Sequence, residues 1–282
     1  MFDRMTVWLQ YILPQHTLSY LMGCLAESQW TWLKNKLIAA FIRDYKVNMT
    51  EAVEENPFAY RSFNDFFIRK IKPSLRPIAA GDSTIISPVD GRITDFGKID
   101  NDRLLQAKQH HYGLNDLLGG IKEETAFFHQ GYFATFYLAP HDYHRVHMPI
   151  DGQLLKVIYV PGRLFSVNDK TAQYVSNLYT KNERLIAIFA TKAGRMAVIL
   201  VGAMIVGHIQ PVWSPKAVPF RSKNRTVQSI TEPTHLKKGA ELGYFKLGST
   251  VLVLFEQNKI DWEANLEKTE SIKMGEQIAH IK

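Results

Sequence analysis

The first fifty residues carry apolar side chains at helical spacing. Apolar residues recur every three or four positions in three stripes: Met5, Trp8 and Ile12; Leu18, Leu21, Met22 and Leu25; and Trp30, Leu33, Leu37, Phe41 and Tyr45. This period predicts three short amphipathic helices, the first ending near Pro14. Their aromatic side chains are typical of helices at a membrane interface. A helical cap that packs on the rest of the protein would show the same pattern.

From residue 80 onward the pattern changes to short apolar runs bounded by turn residues. Runs rich in Val, Ile, Tyr and Phe lie at residues 85–86, 132–138, 154–160, 185–189, 196–206 and 250–255. Only Leu114 to Leu118 has helical character. This spacing predicts an α+β protein, with N-terminal amphipathic helices followed by a mainly antiparallel β sandwich or barrel-like domain. We expect a helical region over residues 1–78, the candidate for membrane association, and a β-rich domain over residues 79–282.

Composition narrows the class of partner. Lys and Arg number 34 against 27 Asp and Glu, and the resulting charge of +7 suits an anionic partner, either nucleic acid or an acidic membrane surface. The single cysteine, Cys24, cannot form an internal disulfide, so we expect a reducing compartment. Because no stretch holds the roughly 18–20 apolar residues of a membrane span, we expect a cytoplasmic protein attached peripherally to a membrane face.

Three segments hold side chains that can do chemistry. Residues 140–147 contain His141, His144 and His147. Such a run could bind a metal, but there is no His-Glu-x-x-His helix, and the surrounding β character favours acid–base work. Asp90 lies in a tight turn, where an aspartate more often forms the turn than acts as a catalyst. Ser249 opens an apolar strand, and by itself nothing marks it as special.

Together these segments resemble the phosphatidylserine decarboxylase family, in its bacterial membrane-associated form. The resemblance rests on an ordered set of motifs at compatible spacing: Pro88-Val89-Asp90-Gly91, Asp142-Tyr143-His144-Arg145-Val146-His147-Met148-Pro149, Tyr159-Val160-Pro161-Gly162, Leu164-Phe165-Ser166-Val167-Asn168, Asn182-Glu183-Arg184 and Leu247-Gly248-Ser249-Thr250. It extends from near the N-terminus almost to the end of the chain, and no motif position departs from the family pattern.

The resemblance implies a proenzyme that cuts itself between Gly248 and Ser249, giving a β chain of residues 1–248 and an α chain of residues 249–282. In that reaction Ser249 attacks the carbonyl of Gly248, His147 takes the serine proton, and Asp90 orients the imidazole as a charge relay. β-Elimination and hydrolysis would then convert Ser249 into a pyruvoyl group. Gly248 leaves the attacked carbonyl uncrowded because it has no side chain.

The pyruvoyl group is the cofactor that the resemblance implies, because decarboxylation needs an electron sink that no side chain supplies. It would capture phosphatidylserine as a Schiff base at position 249. His144 would donate a proton after loss of carbon dioxide, giving phosphatidylethanolamine, and no metal is required. The resemblance also implies that the cleaved chains stay associated, that the protein is a homodimer, and that it lies on the cytoplasmic face of the cell membrane. There its positive charge would favour the anionic surface.

Three other interpretations start from the same residues. Asp90, His147 and Ser249 could serve a serine hydrolase, although the G-x-S-x-G elbow of many such enzymes is absent. The helices and the β-rich body could form a membrane-binding scaffold without enzymatic activity. The charge alone would suit a nucleic-acid binder, but no recognisable nucleic-acid module surrounds the basic residues. We therefore expect no nucleic-acid partner.

Overall fold

The computed structural model describes residues 2–107, 110–204, 209–214, 224–246, 249–268 and 271–282. The helices are α1 (Phe2–Ile12), α2 (Gln15–Ala26), α3 (Thr31–Tyr45), α4 (Phe63–Phe67), α5 (Leu114–Leu117), α6 (Lys122–Phe128), α7 (Asp169–Tyr174) and α8 (Leu178–Lys181). Short 3-10 turns occur at Met49–Glu51 and Pro73–Leu75.

The strands follow the helical N-terminal region, as the sequence predicts. They are β1 (Thr84–Ile86), β2 (Gly91–Lys98), β3 (Arg103–Ala107), β4 (His110–Gly113), β5 (Tyr132–Leu138), β6 (Arg145–His147), β7 (Gly152–Val160), β8 (Arg184–Thr191), β9 (Gly194–Val201), β10 (Ile209–Pro211), β11 (Thr226–Leu236), β12 (Glu241–Phe245), β13 (Ser249–Phe255), β14 (Ile260–Trp262), β15 (Ser271–Ile272) and β16 (Gln277–Ile281).

The centre of the fold is an antiparallel sheet with the strand order β11-β7-β8-β9-β13-β5-β2-β15. Smaller sheets surround it, in the orders β1-β16-β14, β10-β12-β6 and β3-β4. This arrangement confirms the predicted α+β class with antiparallel strands. The large sheet is open, because its edge strands β11 and β15 do not pair with each other, so the fold is not a closed barrel.

The middle of this sheet is apolar on both faces. Every residue of β13 is buried, and β13 pairs with β5 on one side and β9 on the other. Its continuous run of valine, leucine and phenylalanine is what a strand needs when both of its faces are covered. Position 249 therefore begins a strand that the surrounding sheet holds on both sides.

The N-terminal helices bury one face and expose another. Ile38 of α3 is fully buried, and Phe41 packs edge-on against Phe63 and Phe66 of the α4 segment. Side chains of α1 and α2 fasten both helices to the body, since Gln10 accepts a hydrogen bond from the amide of Ser166 and Gln15 one from that of Leu164. Trp8 and Trp30 remain 62% and 66% exposed. Within the described residues, no helix is both long and apolar enough to cross a bilayer.

Candidate active site

The candidate site forms where the loop from β5 to β6 meets the start of β13. Ser249 is paired with Leu138, the last residue of β5, so the loop leaves the sheet beside the serine. The loop ends at His144, whose carbonyl accepts a hydrogen bond from the amide of Phe245 at 3.1 Å. Phe245 is only four residues before Ser249. The fold thus brings the histidine motif and the serine motif to one end of the sheet.

The ring of His144 is fully buried and packs 4.1 Å from the ring of Phe67. Its Nδ1 lies 2.9 Å from the carbonyl oxygen of Asp142, which can only accept, so Nδ1 carries the proton. Burial lowers the pKa of His144 to about 3, and the ring is therefore neutral at pH 7. Its Nε2 is buried and has no hydrogen-bond partner among the described residues. That nitrogen presents a free lone pair.

His147 lies on β6 with both ring nitrogens engaged. Nδ1 donates to the carbonyl of Gly239 at 2.8 Å, so Nε2 accepts from the hydroxyl of Tyr143 at 3.0 Å. The ring is mostly buried, and burial lowers the pKa of His147. At pH 7 His147 is thus a neutral base whose lone pair is occupied by a tyrosine hydroxyl.

Asp90 lies in the turn that precedes β2, and its carboxylate is already paired. Arg76 Nε donates to it at 2.8 Å, and the amide of Met274 donates at 2.9 Å. In the part of the chain that the structure describes, no hydrogen bond joins Asp90 to His147. The two residues are linked through the backbone, because the amide of His147 donates to the carbonyl of Pro88 at 2.8 Å. The Asp90 charge also favours the protonated form of His147, as one of the weaker influences on its pKa.

The turn at Asp90 requires the glycine that follows it. Gly91 adopts a φ of +153°, and a Cβ there would lie 2.4 Å from the carbonyl oxygen of Tyr137. A side chain at this position would push β2 away from β5. The Asp90-Gly91 pair therefore sets the acid where the start of β2 lies closely against β5.

Ser249 is fully buried, and its hydroxyl has no hydrogen-bond partner within the described residues. A buried hydroxyl without a partner costs about 1–3 kcal/mol relative to one that is hydrogen-bonded. Leu247 and Gly248, which complete the predicted cleavage motif, lie outside the described residues.

Several residues of the site were not singled out from the sequence: Arg69, Arg76, Tyr143 and Gly239. Tyr143 stands inside the histidine motif, so its position carried a signal that could have been used. Arg76 lies 14 residues from Asp90 and Gly239 lies 92 residues from His147, and neither carries a local signal. For the described residues, no group of three or more His, Cys, Asp or Glu side chains is arranged to hold a metal ion.

Other motifs of the ordered set support the fold around the site. The side chain of Asn182 donates to the carbonyls of Phe165 and Gly202, and its oxygen accepts from the amide of Phe165. It therefore joins two of the motifs directly. Glu183 beside it is 1% exposed, and burial raises its pKa to about 8.

Comparison with known proteins gives two family matches. The family described as phosphatidylserine decarboxylase matches residues 63–280, and one described as PSD matches residues 5–46. Curated relatives named phosphatidylserine decarboxylase proenzyme include one from Idiomarina loihiensis, 47% identical over 286 residues and covering 99% of this chain and 97% of the relative. That of Bordetella pertussis is 48% identical over 280 residues, covering 98% and 94%. That of Pseudomonas putida is 46% identical over 280 residues, covering 98% of each protein.

Proposed function

We propose that this chain, which belongs to the phosphatidylserine decarboxylase family and converts phosphatidylserine to phosphatidylethanolamine, cuts itself between Gly248 and Ser249. We propose further that it uses a pyruvoyl group made from Ser249. The observation that carries this proposal is the complete burial of the Ser249 hydroxyl. In the uncut chain an external ester could not reach it, whereas the carbonyl of Gly248 is covalently attached to the same residue. Burial thus favours self-cleavage over a serine hydrolase acting on separate molecules.

The residues around position 249 fit a pyruvoyl group. Loss of the Ser249 oxygen by elimination breaks no hydrogen bond within the described residues, because that oxygen has no partner there. Nearby, the free lone pair of His144 Nε2 faces no competing donor of the described chain. When present, the pyruvoyl group supplies the electron sink that decarboxylation needs.

For self-cleavage we assign the base to His147. Its Nε2 holds a lone pair that can take the proton of Ser249, once Tyr143 yields its hydrogen bond. The carbonyl of Gly239 fixes the tautomer by accepting from Nδ1. Asp90, held by Arg76, supplies negative charge that stabilises the imidazolium.

For decarboxylation we assign the proton transfer to His144. The substrate's ammonium group must lose a proton before its nitrogen can react with a carbonyl, and Nε2 of the neutral His144 can accept that proton. The same nitrogen can then return it to the carbon that has lost carbon dioxide. The ring of Phe67 packs against the imidazole and keeps water from that side of His144 during the proton transfer.

The α chain would stay with the β chain after cleavage. Residues 249–282 contain β13, β14, β15 and β16, and three of these strands pair with strands of residues 1–248. β13 is hydrogen-bonded on both sides, to β5 and β9, while β16 pairs with β1 and β15 with β2. We propose that the cleaved protein functions as a homodimer of such two-chain units.

Association with the membrane would use the exposed faces of α1, α2 and α3. Their large exposed apolar residues are Trp8, Leu9, Tyr11, Ile12, Tyr20, Leu21, Leu25, Trp30, Trp32 and Tyr45. Water does not stabilise such a surface, whereas the boundary between headgroups and acyl chains does. The net charge of +7 adds attraction to anionic lipid. We propose that the protein lies peripherally on the cytoplasmic face of the cell membrane.

Denaturing electrophoresis and intact mass spectrometry of the purified protein test this proposal. We expect two fragments, with the smaller one lighter by one ammonia than a peptide that begins with serine. Ser249→Ala should give one uncut chain without decarboxylase activity. Ser249→Thr is the control, because it also changes the side chain but keeps the hydroxyl. The proposal would be contradicted by a single uncut chain that decarboxylates phosphatidylserine and is not inhibited by hydroxylamine, a reagent that traps carbonyl groups.

A further inference from the structure

The loop that carries His144 rests on a buried arginine whose donors are mostly unused. Arg69 follows α4 and is 3% exposed. Its Nη2 donates to the carbonyl of His141 at 2.8 Å. Its Nε and Nη1 are buried, and neither has a hydrogen-bond partner among the described residues. A guanidinium has five N–H donors, so most of the hydrogen-bonding capacity of this cation is unsatisfied.

Other enclosed arginines of the protein are well partnered. Arg76 binds the carboxylates of Asp90 and Glu51, and Arg145 binds that of Glu241 at 2.7 Å. Arg184 donates to four main-chain carbonyls: those of Leu117, Thr180, Asn182 and Asp116. Arg69 has no carboxylate bound to it in the described part of the chain. Arg184 shows that carbonyls can satisfy a buried guanidinium, whereas Arg69 has donors without any acceptor, and an anion from outside the chain would supply one.

The charge balance at Arg69 supports this interpretation. Burial lowers the pKa of both Arg69 and Arg76, but hydrogen bonds to carboxylates raise that of Arg76 above its ordinary value. At Arg69 the acidic neighbours are too distant to offset burial, and its pKa stays lowered. An anion in contact with the guanidinium would supply the missing compensation.

Arg69 lines a cavity of about 190 Å³ that adjoins the candidate active site. Asp90, Asp142 and Tyr143 also line it, as do the exposed lysines Lys46 and Lys273. Of the acids on its wall, Asp90 is neutralised by Arg76, which also binds Glu51 on that wall, and Asp142 accepts from the amide of Ala139 at 2.6 Å. For the described residues, neither lysine has an ion-pair partner. The cavity therefore carries an excess of cations beside Asp90 and Tyr143 of the candidate site.

We propose that Arg69 binds the phosphodiester of the lipid headgroup and so positions phosphatidylserine beside His144. This inference rests on the proposed function of the same site. The substrate has two anionic groups, the carboxylate and the phosphodiester. Only one of them can bind an arginine without slowing the decarboxylation. The carboxylate loses its charge as carbon dioxide leaves, so an ion pair to it would stabilise the substrate more than the transition state. The phosphodiester keeps its charge throughout, and binding it costs no rate.

Occupation of Arg69 would also prepare His144. The positive charge of Arg69 is one of the influences that lower the pKa of His144, after the larger effect of burial. A phosphodiester on the guanidinium would offset that charge. His144 would then accept a proton more readily when substrate is bound than when the site is empty.

Steady-state kinetics with a soluble short-chain phosphatidylserine test the proposal. In Arg69→Gln we expect KM to rise by about tenfold to a hundredfold, with kcat within about threefold of wild type, because a charged hydrogen bond common to ground and transition states is lost. Inhibition by short-chain phosphatidylethanolamine should weaken by the same factor, since the product keeps the phosphodiester but lacks the carboxylate. Arg69→Lys should recover part of the loss. Lys192→Gln, which removes an exposed charge from the turn after β8, should leave KM and kcat unchanged.

Two results would overturn the proposal. One is an unchanged KM in Arg69→Gln, and the other is a raised KM with unaltered inhibition by phosphatidylethanolamine, which would assign Arg69 to the carboxylate. If Arg69→Gln is not cut, calorimetric binding of short-chain phosphatidylethanolamine to Ser249→Ala and to Ser249→Ala/Arg69→Gln decides the matter. Equal affinities would overturn the proposal, and a tenfold loss would support it. An uncut wild-type chain would instead contradict the proposed function.

Discussion

The central sheet and the N-terminal helices treat apolar side chains in opposite ways. All seven residues of β13 are buried between neighbouring strands and the layers above and below. In α1, α2 and α3, by contrast, a row of tryptophan, tyrosine and leucine side chains faces outward. Burial from water stabilises the sheet, but it cannot account for the exposed row. The comparison teaches that a protein interior explains the sheet but not the exposed row, for which the proposed lipid boundary supplies the surroundings.

The largest expected effects lie inside the sheet region, at the two buried histidines. His147→Ala should impair cleavage, because it removes the base assigned to Ser249. His144→Ala should still be cut but should lose about a hundredfold or more in decarboxylation, because general acid–base catalysis contributes at least that much. Electrophoresis measures the first step and carbon dioxide release the second. Full turnover by a cleaved His144→Ala would remove this residue from the mechanism.

A matched pair of leucines tests the comparison directly. Leu252 in β13 is fully buried, whereas Leu21 in α2 is 55% exposed. In the uncut Ser249→Ala background, Leu252→Ala should lower the free energy of unfolding by about 2–5 kcal/mol. Leu21→Ala should change it by no more than about 0.5 kcal/mol. Urea unfolding gives both values, and equal losses would show that the helices belong to the same core.

Stability should also depend on pH through the sheet region. The pKa of His144 is about 3 in the folded protein and about 6.5 when unfolded, so the unfolded chain binds an extra proton between these values. The stabilisation is complete above about pH 6.5 and is lost as pH falls, by about 1.4 kcal/mol per pH unit. Comparing Ser249→Ala with Ser249→Ala/His144→Gln from pH 7 to pH 5 isolates this part.

At the exposed tryptophans we expect the smallest effect on stability, together with a clear loss of binding to lipid vesicles. Trp8→Ala combined with Trp30→Ala should leave the free energy of unfolding almost unchanged but weaken binding to vesicles of phosphatidylserine and phosphatidylcholine by about tenfold. Co-sedimentation measures the partition. Phe58→Ala, exposed but outside the three helices, should bind like wild type. An undiminished partition of the double variant would place the membrane contact elsewhere.

The elements with a strong apolar period were predictable, and those with polar strands were not. The stripes up to Tyr45 mark α1, α2 and α3, and the apolar runs mark β5, β7, β8, β9 and β13. β2 and β11 escaped because polar residues alternate along them, and their strand character comes from pairing with β5 and β7. The short helices α6 and α7 are too short to show a period. Whether the sheet closes depends on the pairing of edge strands, which no local pattern records.

The candidate catalytic residues were recognisable from motifs, but their hydrogen-bond partners were not. Asp90, His144, His147 and Ser249 were all singled out as candidates. The family resemblance implied a direct link from Asp90 to His147, whereas the structure gives each its own partner, Arg76 for the acid and Gly239 for the imidazole. These pairs join residues 14 and 92 positions apart that share no local motif. Arg76 also comes from the region that we expected to serve only membrane association.

The double pairing of β13 has a consequence for the life of the enzyme. Before the proposed cleavage, residues 249–282 belong to one chain with residues 1–248, and forming their strand pairs is an intramolecular event. After cleavage, a protein that unfolds would release a short peptide, and its return would become a bimolecular encounter with an aggregation-prone open sheet. The proposed cleavage would then make the enzyme active but its unfolding irreversible. Each copy of the chain could form the active enzyme only once, and heat would inactivate it irreversibly.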